Sequence, residues 1–317
     1  MTFKNKFDNC IKYFEDHSSP QYSRNDLYLY SDFVELVTVF SKDKSVSYGD
    51  IQDRFFGTKE YSTSLERDDD ESLLIEIFLL IQERSSLYGM NYPFSFDNEK
   101  TLLLFKDDLS DKQKLYIYLL ISSKLNIFEP FRTELTTEFE FICKDALVKY
   151  LPTYAVVKNF GRRSAYVGSA TTKIRKLAAD LNLAVDEYEI SQVSKRNNQE
   201  RGLDIVGWIP FVDNCKNLLV FLAQCACGKD FESKQHDTRR YRNYLNFYKV
   251  SPIHIMFIPF SLINPREGKF YHSDIIEQDY LIFERKRIVE LYDLVNFSSL
   301  KSFEIVESCI NFKESIV

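Results

Sequence analysis

Between residues 26 and 41 the chain reads DLYLYSDFVELVTVFS, with Phe33, Leu36, Val37 and Phe40 recurring at helical spacing. That period predicts an amphipathic helix. The stretch 47–56, SYGDIQDRFF, opens with Ser47 and Asp50 three residues apart. This suits a helix N-terminus, because the serine oxygen takes one free backbone N–H and the acid reaches back to another. Residues 69–88 and 111–126 repeat the amphipathic period and predict two further helices. Between them, 89–108 is turn-rich (GMNYPFSFDNEK) and then strand-like (TLLLF). Residues 1–130 are therefore expected to form a mostly helical lobe for recognition or partner binding. Ser-Val-Ser before the short helix suits the entry to a helix-turn-helix. An ordinary helical bundle is the favoured reading, because no basic recognition helix follows.

A different pattern starts near residue 131. Residues 134–150 (ELTTEFEFICKDALVKY) place Phe139, Ile142, Ala146 and Leu147 on one helical face, and Pro152 stops the helix. TYAVVKNF, 153–160, reads as a strand closed by Gly161. Residues 169–183 predict a helix that looks like an insertion, followed by a polar loop ending at Gly202. Strands are expected at 203–209 and 218–224, joined through a turn at Asp213-Asn214. A basic helix over 229–249, a strand at 253–260, a helix near 283–296 and a short tail complete the chain. Without the insertion the order is α-β-β-β-α-β. The expected fold class is α/β: a helical lobe, 1–130, and a lobe over 131–317 with a small mixed sheet flanked by helices.

Composition alters this picture in few places. The 317 residues, 44% hydrophobic and 28% charged, suit a globular protein with a sizeable core. The longest apolar runs, 73–81 and 116–121, fall short of the ~20 residues a membrane span requires. The opening MTFKNKFDNC lacks the apolar core of a signal peptide. Six scattered cysteines (10, 143, 215, 225, 227 and 309) suit reduced thiols, so a cytoplasmic protein is expected. A net charge of −6 argues against a dedicated nonspecific DNA binder. Residues 156–250 nevertheless carry 16 Lys and Arg against 10 Asp and Glu. That local excess fits either phosphate handling or a solvated basic face. A phosphate-binding GxxxxGK[ST] loop, a GxGxxG turn after a strand, HExxH and GxSxG are all absent.

The candidate chemistry lies in two apolar strands that each carry one polar group. Asp204 stands in GLDIVGW and Gln224 near the end of LLVFLAQCACG, with Lys229 and Lys234 just beyond. A carboxylate inside an apolar strand is costly without a partner, which points to function. An acid, an amide oxygen and a lysine across a hairpin outline a metal-and-phosphate site.

The element order and these residues resemble the restriction-endonuclease-like PD-(D/E)xK superfamily over roughly residues 131–262. Gln224 in place of the second acid resembles its Mrr-like branch. The resemblance implies a metal-dependent DNA endonuclease in which Asp204 and Gln224 hold Mg²⁺ or Mn²⁺. Glu140 of the opening helix would add a contact, with Glu138 as second choice. Mg²⁺ takes hard oxygen ligands and keeps several waters. It polarises the scissile phosphate and lowers the pKa of a bound water. Ala226 fills the family's lysine position, so Lys234 is the candidate lysine and Lys229 the alternative. Arg239, Arg240 and Arg242, interleaved with Tyr241 and Tyr244, are candidate DNA contacts together with His236. Arg162-Arg163 is a weaker one.

The resemblance also implies a bacterial restriction or anti-phage role in which a helicase or ATPase partner delivers DNA. A homo-oligomer stays open. The alternative is a catalytically degenerate member acting as a DNA-binding or assembly subunit, favoured by Ala226 and Gln224. A helical interaction scaffold without a site is a third reading. Cys225 and Cys227, with Cys215, could suggest zinc, but no neighbouring pair completes four ligands. Buried small hydrophobes explain these thiols, and His254 reads as a core residue.

Overall fold

The computed structural model describes all residues except 18, 100, 162, 163, 165, 194–201, 214, 272, 293–296 and 314–317. Two compact units emerge: Met1–Leu135 with Pro259–Tyr271 and Leu294–Val317, and Thr136–Ile258 with His272–Asp293. The division differs from a single cut at 130/131, because two later stretches of chain return to the first unit.

The first unit begins with α1 (Phe3–Asp16), α2 (Leu27–Phe40), β1 (Ser45–Ser47) and α3 (Tyr48–Phe56). It continues with α4 (Ser64–Tyr88), β2 (Phe94–Phe96), β3 (Leu102–Phe105) and α5 (Asp111–Ser122). Helices start where the sequence supplies caps. Ser47 and Ser110 form capping boxes with Asp50 and Gln113, and Thr63 caps α4. Every residue of α2 from Tyr28 to Phe40 is buried, and α5 is buried from Leu115 to Ser122. Helices apolar on nearly all sides belong at the centre of a core.

That burial takes in Asp32 and Glu35, which Arg84 of α4 answers with two bonds of 2.8 Å. Tyr92 and Tyr116 donate to Glu35 at 2.7 and 2.8 Å, and Ser123 donates to Asp32 at 3.0 Å. Burial opposes the Arg84 charge, but Glu35 and Asp32 hold its pKa well above the ordinary guanidinium value. Where one strand was expected, three form an antiparallel sheet in the order β1-β3-β2. Ser-Val-Ser is its first strand.

The boundary between units falls inside α6 (Arg132–Tyr150). The second unit continues with β4 (Val156–Asn159), α7 (Ala170–Asp180), β5 (Ala184–Val185), α8 (Glu187–Ser191), β6 (Ile205–Ile209) and β7 (Leu219–Cys225). Then come α9 (Phe231–Lys234), α10 (Tyr241–Tyr244), β8 (Leu245–Asn246) and β9 (Ile253–Phe257). The hairpin of β10 (Ile263–Asn264) and β11 (Lys269–Phe270) belongs to the first unit. β12 (Tyr280–Phe283) and α11 (Arg285–Leu291) return to the second, and α12 (Phe303–Asn311) to the first. The expected short tail thus contains a helix, with Ile305, Val306 and Cys309 buried.

The second unit is mixed α/β. Its five-stranded sheet runs β12-β9-β7-β6-β4. β4, β6 and β7 are antiparallel neighbours, whereas β7, β9 and β12 are parallel. Phe139, Ile142, Ala146 and Leu147 of α6 are buried as their spacing predicts. A side chain at Gly207 of β6 would begin 3.3 Å from Leu151 and 3.7 Å from Leu147, so glycine allows the chain after α6's apolar face to lie close to the sheet. α7 joins another cluster, packing Ala170, Ile174 and Leu177 with Val206, Trp208, Val220 and Leu222.

The basic stretch 229–249 is not one helix. It breaks into α9, a 3-10 turn at Thr238–Arg240 and α10, and ends in β8 paired with β5. The buried side chains of Gln235 and Thr238 account for the break. Gln235 accepts from the Glu277 N–H at 2.9 Å, and Thr238 bonds His254 and Tyr280 at 3.0 and 2.9 Å. Such contacts compete with a regular helix. The loop 194–202, up to its last residue, and Arg162-Arg163 lie outside the described residues. Among the described residues, no helix is long and apolar enough to cross a membrane.

Candidate functional site

Asp204 precedes β6 and locks three strands together. Its carbonyl accepts the N–H groups of Phe160 at 2.7 Å and Gly161 at 3.4 Å, and its N–H donates to Ala223 at 3.0 Å. The carboxylate Oδ2 accepts the Cys225 N–H at 2.8 Å. Backbone pairing on both sides therefore fixes where this half-buried acid stands. Glu140, half-buried on α6, reaches the same place. A Cβ placed on Gly161 would lie 3.2 Å from Glu140 Oε2 and 3.9 Å from Asp204 Oδ1. The two carboxylates converge on a glycine, and the missing side chain leaves them a cradle.

Three thiols border these acids. Burial pushes the Cys143 thiol up, with Cys225 as its hydrogen-bonding neighbour and Glu140 and Asp204 adding to the rise. Burial, Cys143, Asp204 and Glu140 raise Cys225 well above the thiol range. Cys227 is raised by burial and Cys143, opposed by the Lys234 charge, and raised further by Glu140 and Asp204. Two acids, a lysine and three protonated thiols thus share one neighbourhood. All six cysteines are free.

Lys234 ends the short helix α9 and turns back toward the end of β7. Its Nζ lies 3.8 Å from where a Gly228 Cβ would stand and 3.9 Å from Asp230 Oδ1. Its side chain is 37% exposed, so it remains open to solvent and ligand. Lys229 is exposed in the turn before α9.

Gln224 is placed otherwise than expected. The register pairs Ile205 with Ala223, which sets Gln224 opposite Asp204 one step along the ladder. Its Nε2, however, donates to Asp237 Oδ2 at 3.2 Å, and its buried Oε1 has no hydrogen-bond partner among the described residues. Strand alternation puts Gln224 with Leu222 and leaves Cys225 beside Cys143 of α6. The set Asp204, Gln224 and Glu140 thus reduces to a converging pair, Glu140 and Asp204. Glu138 is buried on α6.

Lys173, outside the sequence-predicted set, also meets this place. It is a buried lysine of α7 whose Nζ donates to Gly161 O at 3.0 Å and lies 3.4 Å from Phe160 O. Its spacing from Ala170 and Leu177 puts it on the buried face of a helix, a signal available in the sequence.

Three of the candidate DNA contacts, His236, Arg239 and Arg240, lie against acids of the chain itself. Arg239 donates to Gln278 O at 2.6 Å, lies 3.4 Å from Glu277 and covers the Tyr280 ring at 5.3 Å. His236 lies 3.8 Å from Glu277, and Arg240 pairs with Asp237 at 3.2 Å. Arg242 is exposed at a recess lined also by Asp186 and Asn246.

Among the described residues, no group of three His, Cys, Asp or Glu side chains has the geometry of a metal site. Two hard carboxylates at an open cradle nevertheless suit Mg²⁺ or Mn²⁺, which needs only one or two protein carboxylates beside water and phosphate. No family model, curated protein or solved structure matches the chain.

Proposed function

We propose that the second unit is a metal-dependent deoxyribonuclease of the restriction-endonuclease-like type. The observation that carries this reading is the convergence of Glu140 and Asp204 on Gly161. The order α6, β4, β6, β7, β9, with an antiparallel meander followed by a parallel strand, supports it. Glu140 and Asp204 would hold the ion. A bound divalent cation would polarise a phosphodiester and lower the pKa of an attacking water. Lys234, solvent-accessible beside Cys227, orients that water and offsets negative charge building on the phosphate. The Cys225 N–H keeps Asp204 aimed at the cradle. Arg239 and Arg240 are committed to Glu277 and Asp237, which weakens the phosphate-binding face they would otherwise offer. DNA delivery is therefore assigned to a partner, such as a helicase or ATPase in a defence system.

A second reading rests on the thiols. Cys225 and Cys227 stand where β7 meets Glu140 and Asp204, which suits a degenerate site and a DNA-binding or assembly subunit. One experiment separates the two. Plasmid cleavage with Mg²⁺ or Mn²⁺ is compared for wild type, Asp204→Ala, Glu140→Gln and Lys234→Ala, alone and with neighbouring gene products, while calorimetry follows Mn²⁺ binding. The nuclease reading expects a loss of about 100-fold or more with Asp204→Ala, and Mn²⁺ binding weakened in both acid variants. Mn²⁺-independent wild type with no cleavage but retained DNA binding would support the degenerate subunit.

A further inference from the structure

The first unit carries an interaction surface of its own, independent of the chemistry above. From α2 onward its elements run helix, strand, helix, helix, strand, strand, with β1 beside β3. That is the order of winged helix-turn-helix domains, in which α4 occupies the position of the recognition helix and the β2–β3 turn that of the wing. A DNA-reading helix presents basic and amide side chains to phosphates and base edges. Here the first turns of α4 carry Glu66, Asp68, Asp69, Asp70 and Glu71 against one base, Arg67. The turn of the wing adds Asp97 and Glu99 against Lys100. A surface of this sign repels a phosphate backbone.

The same helix has an apolar face that the unit does not cover. Leu65 is 72% exposed, Ile75 53% and Leu79 42%. At 100° per residue, Asp68, Ile75 and Leu79 fall on one stripe, with Leu65 and Glu76 both to the same side of it. The chain supplies counter-ions for the neighbouring acids. Asp69 pairs with Arg24 at 3.2 Å, Asp70 with Lys59 at 2.5 Å and Glu71 with Arg67 at 3.0 Å. Among the described residues, Asp68 and Glu76 have no such cation. Glu66 also lacks one but accepts the Ser62 N–H at 3.0 Å, which leaves Asp68 and Glu76 beside the apolar stripe.

We propose that α4 docks a basic amphipathic helix of a partner protein. Ile75 and Leu79 take its apolar side, and Asp68 and Glu76 meet its lysines or arginines. Helix-on-helix docking of this kind is read from anchors at i, i+3, i+4 and i+7. The complementary charges fix its direction and make it salt-sensitive. The recognition position of the winged-helix order is thereby turned from nucleic acid to protein.

The test uses the full chain and a fluorescent Lys/Leu amphipathic helix of about 18 residues as probe, with a Glu/Leu peptide and a short DNA duplex beside it. Anisotropy should show saturable binding of the Lys/Leu peptide, weaker at higher salt. The double variants Ile75→Ser/Leu79→Ser and Asp68→Lys/Glu76→Lys should each weaken binding at least about tenfold. Circular dichroism should show both folded, since the four side chains are exposed. Lys/Leu binding equal in all three proteins overturns the proposal. So does Glu/Leu peptide or duplex binding that only the apolar variant abolishes. Wild-type dimers that Ile75→Ser/Leu79→Ser dissociates would assign the face to a second copy of the chain and equally overturn it.

Discussion

Arg84 in the first unit and Gln224 in the second are both buried polar side chains, and their surroundings treat them differently. Arg84 meets Asp32, Glu35 and the Tyr28 carbonyl, and among the described residues its Nε lacks a partner. The tyrosines and serine around it complete the carboxylates. Among the described residues, Gln224 has Asp237 on one side and no partner for its Oε1, and His254 on the adjacent strand has Thr238 for one nitrogen and no partner for Nε2. Around Arg84 full charges are buried and matched. Around Gln224 and His254 the buried groups are neutral and leave an acceptor and a ring nitrogen open among the described residues. Matched charge makes a core specific, whereas unmatched polar atoms mark places for water or ligand.

Breaking the matched cluster should have the largest effect. Arg84→Met leaves two buried carboxylates without their cation, and should cost about 3–5 kcal/mol in urea unfolding. A loss below about 1 kcal/mol would show that Asp32 and Glu35 are protonated or hydrated, and would erase the contrast.

The unmatched side is tested by acid. Burial, with Arg242 and Arg239 nearby and Asp279 opposing, lowers the His254 pKa to about 4. The folded value lies below the unfolded one, so the unfolded chain binds the extra proton between about pH 6.5 and 4. Stability should therefore fall as pH falls through that window, by up to about 3 kcal/mol, and His254→Gln should flatten the slope. An unchanged slope would place the acid sensitivity on other groups.

The smallest effect is expected at Gln224. Gln224→Met gives up one bond to Asp237 and also removes the unmatched oxygen, so unfolding should shift by less than about 1.5 kcal/mol. Cleavage should suffer far less than in Asp204→Ala. An equal loss would return Gln224 to the ligand set.

These contrasts show what the sequence could carry. The face of α6 and the alternation of β6 and β7 are periodic, so they could be read directly. Asp204 stood out because its neighbours are apolar. Asp32 and Glu35 did not, since charges one turn apart in a helix usually mark its solvent side, and their burial depends on Arg84 from far along the chain. The orientation of the Gln224 amide depends on Asp237, and the break in 229–249 on His254, Tyr280 and Glu277. Lys173 belonged to a helix that looked like an insertion. Each miss is a side chain whose partner is distant in sequence, where period and propensity carry no information.

The return of α12 to the first unit has a consequence for synthesis. Ile305, Val306 and Cys309 are buried parts of that unit, yet they leave the ribosome after the whole five-stranded sheet. The unit that begins first is thus completed last. Until then its nascent core waits with an apolar gap while the later unit can already close, so a stalled or shortened chain should present this gap, rather than the sheet, to chaperones.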